Sequence, residues 1–288
     1  MNKENNDNLS LRKKIRRVQD LPTLSKTVFR ITELVNNPKS SAKDLALVIT
    51  EDQVLTARLL KLVNSAFYGF PRKISTITEA VVLLGFDAIR SLLLTTSVMD
   101  LFFRQKENRF KSEGLWDHSL GCAVAAKVIG NFLRYDKIEE LFVAGLLHDI
   151  GKVVMLMYMP EDFNMVVDAA ADRNILMMEA EEDLLPYNHA YAGKLLAERW
   201  RLSSKLAEII ACHHEPELAG RYTQESAIVH LADIFSRALN IGFGGDDKIP
   251  PLNENAWDIL QLKPENISVL MEEIQNEFED ISMFAKNI

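Results

Sequence analysis

From Leu24 onward the apolar residues recur at three- and four-residue intervals, and over no convincing length do they alternate one for one. Leu24, Val28, Ile31, Leu34 and Val35 set the pattern, which is that of helices burying one face and not of half-buried strands. Few turn-forming residues interrupt it: the 288 residues include only 12 Gly and 9 Pro, too few for a fold rich in β-turns. The chain is therefore expected to be all-α. Its 48% hydrophobic and 26% charged residues supply a core and exclude wholesale disorder.

The punctuation suggests two lobes. Residues 1–17 form a polar, basic extension with Arg12, Lys13, Lys14, Arg16 and Arg17 crowded together. An N-terminal helical lobe is expected over 18–110, with helices near 42–49, 54–63, 76–84 and 87–103, the last two separated by Gly85. Ser41 and Asp44 have the spacing of a helix cap. The polar stretch 104–114 marks the boundary. A second lobe follows over 111–240, with helices at 115–133, 138–157, 163–173, 190–200, 205–213 and 226–239. A loop and two helices at 256–260 and 266–284 then occupy 241–288.

Charge divides the same way. Residues 1–110 carry 18 Lys/Arg against 11 Asp/Glu, whereas 111–288 carry 15 against 30, giving the overall net charge of −8. No nucleic-acid motif accompanies the basic segment, so nucleic acid is not expected as a partner. Two cysteines, Cys122 and Cys212, make no disulfide framework, and the polar N-terminus has no secretory pattern; a cytoplasmic protein without a membrane span is expected.

All six histidines fall in the second lobe. His118 follows Trp116-Asp117, and His148-Asp149 lies in Leu147-His148-Asp149-Ile150-Gly151-Lys152. His189 stands beside Asn188, His213-His214 precedes Glu215-Pro216, and His230 is followed by Asp233. Imidazoles and carboxylates are the ligands that suit Zn, Fe or Mn. Taken singly, each histidine is more readily a satisfied core or surface residue. The order His, His-Asp, Asp, each on an expected helix, is what lifts the set above that reading.

That order, His118…His148-Asp149…Asp233, resembles the signature of the HD superfamily of metal-dependent phosphohydrolases. His189 and His213-His214 are similar to the extra ligands of its HD-GYP branch, which hydrolyses cyclic di-GMP. The chain most resembles the HDOD family, through Leu21-Pro22-Thr23-Leu24, residues 52–62, Asn64-Ser65-Ala66-Phe67-Tyr68-Gly69, residues 80–85 and 146–152, and His213-His214-Glu215-Pro216. The similarity spans about 18–240. It departs from HD-GYP in lacking Gly-Tyr-Pro after His213-His214-Glu215, and in placing Gly114 four residues before His118 where that branch has a Glu.

The resemblance implies a two-lobed helical HDOD fold and a cytoplasmic, bacterial-type regulatory module acting through a signalling protein partner, without catalysis. It implies a transition metal, one or two ions of Fe, Mn or Zn, held by His118, His148, Asp149, His189, His213, His214 and Asp233. The alternative it implies is a metal-dependent phosphohydrolase acting on a nucleotide or cyclic dinucleotide. Lys152 would then steady a phosphate oxygen; otherwise it neutralises a buried Asp149. The loop 64–69 is expected to be a structural turn whose aromatics, with Phe70, plug the seam between the lobes.

Overall fold

A computed structural model describes residues 26–35, 37, 39–65, 68–102 and 112–285. The basic segment 1–17, Phe67 and most of the boundary stretch lie outside them. The regular structure of the described residues is helical, with no strand among them. The first lobe comprises α1 (Lys26–Val35), α2 (Ala42–Thr50), α3 (Gln53–Val63) and α4 (Ile77–Phe102). Ser41 caps α2 in a reciprocal box with Asp44, as the spacing predicts. Gly85, at φ 83°, kinks α4 where two helices were expected.

The second lobe contains α5 (Ser112–Phe132), α6 (Ile138–Leu147), α7 (Ile150–Tyr158), α8 (Pro160–Arg173), α9 (Met177–Leu184), α10 (His189–Arg199) and α11 (Ser204–Cys212). A 3₁₀ turn (Pro216–Tyr222) leads into α12 (Thr223–Ala238), and α13 (Glu254–Leu260) and α14 (Asn266–Ala285) close the chain. Helix α5 is the hub, packing against α6, α12 and α14. The C-terminal stretch thus packs on the second lobe and does not stand apart from it.

One expectation is corrected in a way that matters. The helix expected over 138–157 is two, broken at His148 and Asp149. Asp149 has φ −97° and ψ 10°, and Lys152 N–H donates to its carbonyl at 2.9 Å. The break falls at the polar pair His148-Asp149 inside an otherwise apolar run, with Asp149 at the N-cap of the second helix. The Ile138–Tyr158 stretch is long and apolar enough to cross a membrane by composition, but 89% of that window is buried inside the protein.

Helix α4 joins the lobes. Ser91 Oγ donates to Glu139 O in the first turn of α6 at 3.1 Å. Tyr68 enters the same seam, with the Lys127 ammonium of α5 5.5 Å from its ring centre, and burial followed by the nearby Glu139 pushes its phenol well up. The 64–69 segment is a structural turn at its first residue. Asn64 donates to Leu60 O and Ile74 O at 2.7 and 2.8 Å, and accepts from Ile74 N at 2.7 Å. Asn64→Ala should cost about 2 kcal/mol, since it strands partly buried backbone groups. Denaturant unfolding checks this, and an unchanged midpoint would remove the clamp.

A second tie lies within the second lobe. The Lys205 ammonium meets Glu140 at 2.9 Å and Glu225 at 2.8 Å, and donates to the Tyr135 hydroxyl at 2.6 Å. Burial raises both carboxyls, but Lys205 outweighs it and their folded pKa values are lowered. Groups depressed on folding contribute stability that is complete above the unfolded carboxylate pKa of about 4.3 and lost as pH falls through the lower folded values. Lys205→Met should flatten this acid limb of the stability curve. An identical pH slope in the variant would show that the tie contributes nothing.

Candidate metal centre

The helix break aims two side chains into one buried spot. His148 ends α6 and its Nδ1–H donates to Gly145 O at 2.7 Å, while Asp149 begins α7. Helix α10 is then pressed onto α7, because Gly151 presents no side chain: a Cβ there would lie 1.8 Å from His189 O. His189, first residue of α10, reaches Asp149 Oδ1 with its Nε2 at 3.2 Å. His213 ends α11, with Nδ1–H donating to Ile210 O at 2.8 Å. His118 projects from α5 and Asp233 from α12.

All seven residues expected from the sequence come together, and Asp149 lies at their centre. Its Oδ2 faces His118 Nε2 at 3.5 Å and His148 Nε2 at 3.4 Å, and its Oδ1 faces His189 at 3.2 Å and His213 at 3.8 Å. Asp233 Oδ1 approaches His118 Nε2 at 3.2 Å. His214 Nε2 lies 2.9 Å from His189 Nε2, which is 3.4 Å from His213 Nε2. His118, His148 and His213 are fully buried, and Asp149 and His189 nearly so. His230 stays outside the cluster: its Nδ1–H donates to His213 O and its Nε2 accepts from Asn253 N, which uses both nitrogens.

The tautomers follow from the partners. Carbonyl and carboxylate oxygens only accept, so His148 and His213 carry a proton on Nδ1, as does His189 through Glu181 Oε2 at 2.6 Å. Their Nε2 atoms converge, and this outer ring of acceptors is what orients histidines around a metal. His148 Nε2 and Asp149 Oδ1 are buried without a hydrogen bond. Such orphans are costly unless something else occupies the centre. Three sets of atoms lie close enough to share an ion: His118, Cys122, His148 and Asp233; His189, His213 and His214; and His148, Asp149 and His213. The donors are nitrogen, carboxylate oxygen and sulfur, which fit a transition ion.

Electrostatics call for positive charge here. Burial pulls His118 and His148 down, but the two carboxylates outweigh it for His118, and Asp149 with Cys122 lifts His148 to about 9. Burial, then the neighbouring His148 and His189, holds His213 well below its ordinary value, and burial, then His213 and His189, does the same for His214, so both are neutral. Burial alone would raise Asp149; His148 and Lys152 instead hold it well below the usual range. Lys152 is itself buried, donating to Asp149 Oδ2 at 2.6 Å and Gly244 O at 2.7 Å. Arg237 donates to Asp233 at 3.0 Å and to Asp246 at 3.0 Å.

Four parts of the centre escaped sequence reasoning: Cys122, Glu181, Arg237 and the glycine loop at 242–246. Cys122 follows His118 by one helical turn, a signal that was present. Glu181 sits in an acidic run that reads as solvated. The loop closes over the centre because Gly242, at φ 66°, lets backbone pass where a Cβ would lie 2.2 Å from His118 N. Phe243 N donates to Gly114 O at 2.8 Å, so the position where HD-GYP proteins carry a Glu is occupied here by loop packing.

On the side of His189 and His214 a cavity of about 220 Å³ opens, lined also by Lys152, Arg237, Glu179, Glu182 and Glu215. Burial, then Glu215 and the other nearby acids, holds the Glu182 carboxyl above its usual range.

Known proteins fit this architecture. The HDOD domain family matches residues 21–216. An HDOD domain protein of unknown function from Geobacter sulfurreducens superposes with a TM-score of 0.81 at 29% identity, covering 98% of this chain and 97% of that one. A candidate phosphohydrolase from Shewanella amazonensis gives 0.73 at 25% identity over 94% of this chain and 97% of its own. An uncharacterized protein of Treponema pallidum is 28% identical over 229 residues, which are 78% of this chain but 44% of that protein.

Proposed function

The chain belongs to the HDOD domain family, and from that premise we propose a regulatory module that relays a signal through protein contacts, with a divalent transition metal in the buried histidine–aspartate centre. One observation carries the metal: His148 Nε2 and Asp149 Oδ1 are orphaned amid converging imidazole nitrogens. When bound, the ion would be shared by the imidazole nitrogens and carboxylate oxygens and would tie α5, α6, α7, α10, α11 and α12 together. The chain's own groups orient the ligands, through Gly145 O, Ile210 O and Glu181.

Two features favour relay over phosphoester hydrolysis. Lys152 and Arg237, the cations at the centre, are already held by Asp149, Asp233, Asp246 and Gly244 O. The cavity is lined by Glu179, Glu182 and Glu215, which repel an incoming phosphate. The relay path is α6: its C-cap residue, His148, touches the centre and its first turn meets Ser91 of the other lobe. Occupancy shifts lobe docking only if the two docked states bind the ion differently. Both cysteines are free, which suits the reducing cytoplasm where this module would meet its protein partner.

The second reading, a metal-dependent phosphohydrolase, draws on the cavity beside His189 and His214 and on the similarity to the Shewanella protein. One experiment separates them. Protein purified without chelators should contain transition metal, and His148→Ala should lose most of it. Neither protein should turn over cyclic di-GMP or other phosphodiesters with added Mn or Fe. Sustained hydrolysis abolished by Asp149→Ala would establish the enzyme, and metal-free wild-type protein would end the metal centre.

A further inference from the structure

The two halves of the centre differ in what surrounds them. His189 and His214 line the open cavity. On the other side His118, Cys122 and His148 are fully buried and Asp233 is 2% exposed. Cys122 Sγ lies 3.6 Å from His118 Nε2. It belongs to a set of four atoms, with donors from His118, His148 and Asp233, all within 4.8 Å of one another. Two imidazoles, one carboxylate and one thiolate would supply four protein donors, the number that closes a structural zinc site, whereas catalytic sites keep a fourth position for water.

We infer that Cys122 is a metal ligand, and that it closes the inner half of the centre around a zinc-like ion with no position left for water. This rests on the reading of the cluster as a metal centre and goes beyond it, because Cys122 is outside the His–Asp pattern. Its position follows from the helix: one turn beyond His118 on α5, it faces the same point. On binding, the Cys122 S–H bond breaks and an S–metal bond forms. The sulfur lone pair becomes the ligand pair, the proton passes to solvent, and nothing is oxidised or reduced. Thiolate also steers selectivity toward Zn and away from Mn or Mg. The outer half, with His189, His213 and His214 facing the cavity, is then the exchangeable one.

Two measurements test this on the full chain. Apo protein titrated with Co²⁺ should develop a near-ultraviolet thiolate-to-metal absorption band, which Cys122→Ser and Cys122→Ala should lose and Cys212→Ser should keep. X-ray absorption on zinc-loaded wild-type protein, which needs no variant to fold, should show a sulfur neighbour at about 2.3 Å. Bound metal with only nitrogen and oxygen neighbours, or a band that survives Cys122→Ala, overturns Cys122 as a ligand while leaving the metal centre standing. Absence of any bound Co²⁺ or zinc overturns both.

Discussion

Gly151→Ala should destabilise the protein by about 3 kcal/mol or more, at the upper end of what overpacking costs. The added Cβ would meet His189 O at 1.8 Å and Gly193 N at 2.7 Å. Both are backbone atoms, so no side chain can swing aside and α7 must part from α10. Parting the helices draws His189 away from Asp149, which lies 3.2 Å from its Nε2. The variant should therefore unfold at lower denaturant and bind less metal at the cavity side. Gly220→Ala supplies the comparison: at φ 57° and ψ −116° with nothing within 4 Å of an added Cβ, it carries backbone strain without a clash and lies outside the centre. Equal losses of metal in the two variants would show that close helix contact at Gly151 is not what builds the centre.

This contrast explains what the sequence discloses and what it hides. The helical period of Leu24 to Val35 and the cap at Ser41 are local properties, and they locate elements well. Helix α9 is hidden because Met-Met-Glu-Ala-Glu-Glu-Asp-Leu is short and mostly acidic, with a weak apolar stripe of Met177, Ala180 and Leu184, although it contributes Glu181 to His189. The break at His148-Asp149 is hidden because the apolar residues on either side of the pair continue one helical period. His118, His148, Asp149, His189, His213, His214 and Asp233 are legible as a set, because few other roles explain imidazoles and carboxylates in that order. Cys122 is not, since a cysteine read for disulfides alone has no stated partner. The spacing of four from His118 becomes meaningful only once His118 is known to point inward.

Asp149→Asn should remove metal from the cavity side of the centre and also destabilise the apo protein by about 3–5 kcal/mol. The two effects have different origins. Metal is lost there because Asp149 Oδ1 faces His189 and His213, whereas the inner half keeps its four donors from His118, Cys122, His148 and Asp233. Stability is lost because Lys152, 1% exposed, is left buried without the carboxylate that meets it at 2.6 Å, and a buried amine without its partner is expensive. Adding Lys152→Met to Asp149→Asn removes that stranded amine and fills similar volume with apolar atoms. The double variant should recover most of the lost apo stability yet regain no metal at the cavity side. Lys152→Met alone should leave the carboxylate to the histidines and to the ion, so metal content is retained. Unfolding of chelator-treated proteins and element analysis of untreated ones give the full cycle. If Lys152→Met alone abolishes metal, the ammonium positions the Asp149 carboxylate and does not merely neutralise it. If the double variant is no more stable than Asp149→Asn, the stability of this lobe comes from Asp149 and its histidines, and the buried ion pair is incidental to the fold.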